Sequence, residues 1–186
     1  MNSPIKYLSQ EDVKAFFDKI QDKRDRALFA VIYNYGLRAS EATLLQPEHV
    51  DLKRGKIYIS RLKKGIAGEK PLLRDVKRVL KAYLEARLPT GEGLFTGREG
   101  TMGYKRISQL FKRYAKKAKI DARDSVHALR HSIAVHSLEA GLGVEFVQDH
   151  LGHVNIQNTM VYAKVTDRQR REGFRKMELS SEVVKV

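Results

Sequence analysis

The sequence predicts a mixed α and β domain that is mostly helical and carries one small antiparallel hairpin. Three observations support this. Apolar residues recur at three- and four-residue spacing through most of the chain, and only the stretch 56–73 switches to alternation with β-branched residues. At 186 residues and 42% hydrophobic content, the chain is long enough for one domain with a real core.

The elements follow in order. Ser9 with Asp12 three residues on marks a helix start, and Val13, Phe16, Phe17 and Ile20 continue it at helical spacing. A second helix runs from about Arg24 to Tyr35, rich in Leu28, Phe29, Val31 and Ile32, with Gly36 placed to stop it. The run LRASEATLL then puts Arg38 at the mouth of a short third helix, with Glu41 three residues later. Backbone N–H groups at a helix start favour an anion there. From Gly55 the run KIYISRLKKGIAGEKPLL reads as a hairpin over 56–73, with Lys63 and Lys64 at the end of its first strand. The pleat sends these two lysines to opposite faces. Residues 75–88 form an amphipathic helix ended by Pro89, and Leu94 and Phe95 add a short strand. A helix over 104–120 sets Ile107, Leu110, Phe111 and Tyr114 on one side. Lys105, Arg106, Lys112, Arg113, Lys116 and Lys117 lie on the other, as a face for the DNA backbone. After Tyr162 the tail reads as a charged helix to about Met177. With Phe174 and Met177 as its main apolar positions, it is expected to dock on a neighbouring copy.

Lys and Arg number 36 against 22 Asp and Glu, a formal charge of +14. A field of this sign points to a polyanion, with nucleic acid ahead of an anionic membrane. No run of about 18 apolar residues exists and the N-terminus lacks the layout of a signal peptide, so a soluble, cytoplasmic, DNA-associated chain is expected. The absence of cysteine excludes disulfides, thiolate chemistry and cysteine-based zinc sites.

Chemistry concentrates in the run HALRHSIAVHSLEAGLGVEFVQDHLGHVNIQNTMVY. His127, Arg130 and His131 fall at i, i+3 and i+4, on one face of a helix. His153 follows Leu151 and Gly152, where the glycine reads as a helix C-cap, and Tyr162 comes nine residues later. A guanidinium fork, imidazoles and a phenol suit attack of a tyrosine oxygen on a phosphodiester, because phosphoryl transfer needs donors aimed at the non-bridging oxygens. A cationic surround also helps the phenol lose its proton. His127 and His131 have the spacing of a metal pair, but Ala128 stands where HExxH has its glutamate and Arg130 lies between them, which disfavours a metal.

These residues resemble a known family. GLRASE is similar to the first arginine box of the tyrosine recombinases, or phage integrase family. HALRH is similar to its His-x-x-Arg-His box, and LGH with a tyrosine nine residues on to its last box. The resemblance runs from about Tyr7 to the tail, and RLKKG resembles the hairpin segment of the small fimbrial-inversion recombinases, which lack a separate N-terminal DNA-binding domain. It implies a mostly helical catalytic domain with a small sheet, which cleaves and rejoins DNA through a covalent 3′-phosphotyrosyl intermediate. It implies Tyr162 as the nucleophile, Arg38 and Arg130 as the phosphate clamp, and His153 as a further hydrogen-bond donor. His127 would assist proton handling and Lys63 would be the general acid in preference to Lys64. Glu41 would support the site, and His131 belongs to the box without an assigned role.

A phosphotyrosyl ester keeps the energy of the broken phosphodiester, so resealing needs no ATP; with no Walker glycine loop and no acidic metal cluster, no cofactor or metal is expected. One catalytic domain over 1–186 is expected, with a core over 1–165 and a tail over 166–186. The partners would be double-stranded DNA and further copies of the chain, as a tetramer on DNA. The alternatives are topoisomerase-like nicking and resealing without recombination, and a non-catalytic DNA-binding regulator on the same scaffold.

Overall fold

The computed structural model describes residues 5–62, 65–88, 91–97, 100–121, 125–163 and 174–175. It opens with helix α1 (Gln10–Asp18), where Ser9 and Asp12 form a reciprocal capping box, and α2 (Lys23–Asn34), capped by Asp22. Leu28, Phe29, Val31 and Ile32 of α2 are fully buried, so this helix is the hub of the larger core. Gly36 ends it in the left-handed region (φ 57°), and an added Cβ would collide with the side chain of Leu151. The sharp turn leads straight into α3 (Ala39–Ala42), with Arg38 as its N-cap.

A three-stranded antiparallel sheet follows, β1 (Val50–Asp51), β2 (Lys56–Ile59) and β3 (Gly68–Pro71), with Lys56 opposite Pro71 and Ile59 opposite Gly68. Two differences from the sequence reading stand out. β1 is an additional strand, and β2 stops at Ile59, short of the lysines. Beyond it Arg61 dives inward to a buried carboxylate, which ends the regular ladder. Lys63 and Lys64 lie outside the described residues, as does most of the tail.

Helix α4 (Arg74–Leu84) ends four residues before the expected 88, because Arg87 turns back to donate to the carbonyls of Gly91, Gly93 and Leu94. Leu94 and Phe95 are buried just before a strand rather than within it. The short pair is β4 (Thr96–Gly97) with β5 (Gly100–Thr101). Helix α5 (Tyr104–Lys117) closes with Lys119 in the left-handed region and Ile120 folding back to the carbonyl of Ala115.

Helices α6 (His127–Glu139), α7 (Val144–Leu151) and α8 (Gln157–Ala163) complete the described fold. The last was not foreseen as a helix. Two cores result: Phe16, Phe29, Phe111 and Tyr114 pack together in the larger, and Val135, Leu138, Val147, Leu151 and Tyr162 in the smaller. Helix α6 contributes to both, with Leu129 in the first and Val135 in the second, which explains why it is buried on most of its faces, Arg130, Ser132 and His136 included. Among the described residues no helix is long and apolar enough to cross a membrane.

Candidate active site

The site forms where α3, the end of β2, the start of α6 and the α7–α8 junction meet. Its centre is Glu41, whose side chain is wholly buried. Glu41 accepts from the Arg38 backbone N–H at 3.0 Å and from Arg38 Nη1 at 2.6 Å. Arg61 Nη1 donates to it at 2.9 Å, and Arg130 Nη1 stands 3.7 Å away. Burial would raise this carboxyl, but the Arg38 backbone N–H and the flanking guanidiniums outweigh it and hold Glu41 below its ordinary value.

One carboxylate thus gathers three guanidiniums. Arg130 is 1% exposed; it donates to the carbonyl of Gly36, to that of Leu151 at 2.9 Å, and to His153 Nε2 at 2.8 Å. Burial, then the neighbouring Arg38 and Arg61, lower it to about 10, so it stays charged at neutral pH. The left-handed Gly36 and Gly152 present these carbonyls. A Cβ on Gly152 would stand 2.9 Å from Arg61 Nε, so arginine and glycine fit only together.

Arg61 did not emerge from the sequence as a site residue. Its side chain is 1% exposed and also donates to the carbonyls of Tyr35 (3.0 Å) and His150 (2.7 Å). The signal was available: Ile57, Ile59 and Arg61 share one parity, and the two isoleucines face the core. An arginine extending the inward face of a strand must find an acid, and the acid is Glu41. Glu41→Gln is therefore expected to lower stability by about 3–5 kcal/mol, since it strands buried guanidiniums. A drop in thermal midpoint on the order of 10 °C, read by circular dichroism, is the expected result.

Tyr162 is 3% exposed on α8, and its hydroxyl shares a hydrogen bond of 2.8 Å with His131 Nδ1. His127 does not make this bond; it is exposed and sets its ring edge-on to His131, centroids 4.5 Å apart. Burial raises the phenol, with Arg130 and Arg38 pulling the other way. His153 Nδ1 lies 2.9 Å from Thr159 Oγ1, another residue the sequence reading passed over.

Burial is also the main reason that His131 and His153 fall from 6.5 to about 4, with nearby cationic groups adding to it. The unfolded chain takes up protons near pH 6.5 that the folded chain refuses until about pH 4. Stability is therefore level above that window and falls as pH drops through it. Thermal midpoints measured across this range should show the decline, and His131→Asn should make it shallower while His153 sustains the rest.

The basic residues of α5, Lys105, Arg106, Lys112, Arg113, Lys116 and Lys117, are all exposed. Lys105 and Lys112 line a groove shared with Ser125 and Val126, directly before His127. Arg113 is partly engaged, 3.4 Å from the buried Asp25. Among the described residues no three His, Asp or Glu side chains come together as a metal cluster.

Comparison with known proteins gives the family and the fold. Residues 6–169 match the model of the phage integrase family. The chain is 35% identical over 184 residues to tyrosine recombinase XerA of Thermococcus kodakarensis, covering 94% of this chain and 63% of that protein. It is 30% identical over 187 residues to tyrosine recombinase XerC of Pelotomaculum thermopropionicum, covering 92% and 61%. Among solved structures, the XerA recombinase crystal structure superposes with a TM-score of 0.81 at 25% identity, covering 95% of this chain and 65% of that one. A XerH recombinase on difH DNA in a post-cleavage complex shares the fold, with a TM-score of 0.77 at 22% identity, covering 92% and 53%. The chain spans about three fifths of the length of these curated relatives. With residues 6–169 matching the family model and the fold shared with the XerA structure, this chain belongs to the phage integrase family of tyrosine recombinases.

Proposed function

We propose that this chain cleaves and rejoins DNA strands by transesterification and that the reaction serves site-specific recombination. The phenolic oxygen of Tyr162 attacks a DNA phosphorus, the new O–P bond replaces the bond to the 5′ oxygen, and a 5′-hydroxyl leaves. Arg38 and Arg130 clamp the non-bridging oxygens while Glu41 and Arg61 hold them in register. His153 donates a further hydrogen bond. The phenol's proton passes into the His131–His127 pair, where the sequence alone had favoured His127 for proton handling. Lys63, chosen over Lys64 through the family match, protonates the leaving oxygen. The exposed face of α5 holds the DNA backbone, further copies of the chain complete the assembly as a tetramer on DNA, and the tail docks on a neighbour from a single catalytic domain.

The observation that carries this reading is the clustering of three guanidiniums about one buried carboxylate, beside His153 and within the field felt by Tyr162. Such a cluster keeps a net positive charge that a phosphodiester offsets. The names of the recombinase relatives support the same conclusion. Incubation with a nicked suicide duplex tests it. A denaturant-stable protein–DNA adduct should form and map to the peptide containing Tyr162; its absence across a panel of duplexes would sink the proposal. Strand exchange between two duplexes, scored against relaxation of a supercoiled plasmid, then separates recombination from simple nicking and resealing.

A further inference from the structure

Thr159 lies on α8, is 0% exposed, and places Oγ1 2.9 Å from Nδ1 of His153, itself 8% exposed. On the other side of the ring, Nε2 is 2.8 Å from Nη2 of Arg130. A guanidinium has hydrogens to give and no lone pair to offer. Nε2 must therefore be bare, and the single proton of the neutral ring sits on Nδ1 and is donated to the threonine hydroxyl. The low basicity of this imidazole, about 4, agrees with a neutral ring at physiological pH.

The proposed reaction asks for the opposite arrangement. His153 can reach a phosphate oxygen as a donor only through a proton on Nε2, the nitrogen that Arg130 now occupies. When a phosphate draws Arg130 away, Nε2 becomes free to take a proton from solvent. Two ring forms then serve. In the imidazolium, both nitrogens carry protons, the added charge is balanced by the phosphodiester anion, and Nδ1 still donates to Thr159. In the second neutral tautomer, the Nδ1 proton has returned to solvent, and Nδ1 must accept from Thr159. A hydroxyl can accept or donate, so it satisfies the resting ring and both working forms.

We propose that Thr159 is a positioning residue for strand cleavage, its hydroxyl holding His153 with Nε2 turned to the phosphate site and reversing its own role as the ring changes form. Thr159 sits three residues before Tyr162, on the same side of α8. Seating the nucleophile and setting the imidazole therefore belong to one helix. This inference rests on the proposed function, because His153 needs a donor proton only if a phosphate comes to it.

The test has two arms, so that failure of one proposal is not mistaken for failure of the other. In the free protein, long-range nitrogen–proton NMR correlations of labelled histidine should show His153 protonated on Nδ1 and bare on Nε2. A proton on Nε2 at rest overturns the inference, whatever happens with DNA. In the nicked-duplex assay, Thr159→Val keeps the shape of threonine and removes the hydroxyl; it should slow adduct formation by about 10- to 100-fold. Thr159→Ser should restore most of the rate. In a His153→Gln background, Thr159→Val should have no further effect, because its action passes through the imidazole. Wild-type speed for Thr159→Val, or an equal slowing with and without His153, overturns the inference. A wild-type protein that forms no adduct refutes the proposed function instead, and the NMR arm still decides the state of the ring.

Discussion

Tyr162→Phe should abolish the covalent protein–DNA adduct outright while leaving the fold in place. The phenol oxygen is the proposed nucleophile, and removing it leaves nothing to bond to phosphorus, so the expected loss has no residual rate to measure. The ring itself is part of the smaller core with Leu138, Val147 and Leu151, and phenylalanine keeps that packing. What is lost structurally is one hydrogen bond, to His131 Nδ1. His131 is only partly buried, so water can take the place of the hydroxyl. The cost is about 1 kcal/mol, a fall of about 2–4 °C in thermal midpoint. DNA binding by gel shift should keep its steep salt dependence, because the phosphate contacts assigned to α5 and the arginines are untouched. An adduct that persists in this variant moves the nucleophile to another residue.

Arg130→Lys should reduce cleavage by about 10²- to 10³-fold, the range for loss of one preorganised donor set at a charged transition state. A lysine ammonium is a single point and cannot span the Gly36 carbonyl, the Leu151 carbonyl and His153 Nε2 as the guanidinium fork does. The surroundings also work against it. They lower the arginine to about 10, and a lysine in the same place, starting from an ordinary value near 10.4, would be drawn toward neutrality. Arg130→Ala is the less informative variant. It strips partners from two carbonyls, an imidazole and a carboxylate in a site only 1% exposed, and should lower stability by about 3–5 kcal/mol. Denaturant unfolding read beside cleavage separates the two effects. Full cleavage by Arg130→Lys would remove Arg130 from the chemistry.

Much of this was legible in the residues. Ser9 with Asp12, the glycines at 36 and 152, and the apolar spacing of α2, α4 and α5 all report local preferences that neighbouring residues decide among themselves. The sequence boxes also placed Arg38, Arg130, His153 and Tyr162 among the candidates, because each carries a side chain whose chemistry is visible without a fold. The shared carboxylate brings Arg38 and Arg130 together across the chain, a meeting that spacing could not demonstrate.

Other features had no local signature. The end of β2 was misjudged because the alternating pattern continues past Ile59, whereas the strand stops when Arg61 leaves the ladder for Glu41, 20 residues earlier in the chain. The choice of His131 over His127 as the partner of Tyr162 depends on how α8 lies across α6. Thr159 carries no signal in its own segment, and only the fold sets its hydroxyl against His153. Composition, helical periodicity and reactive residue types are properties of short segments, and the chain announces them directly. Which arginine meets which carboxylate, and which face of an imidazole is occupied, are settled by long-range packing, because a buried charge or ring nitrogen takes whatever partner the assembled fold brings within reach.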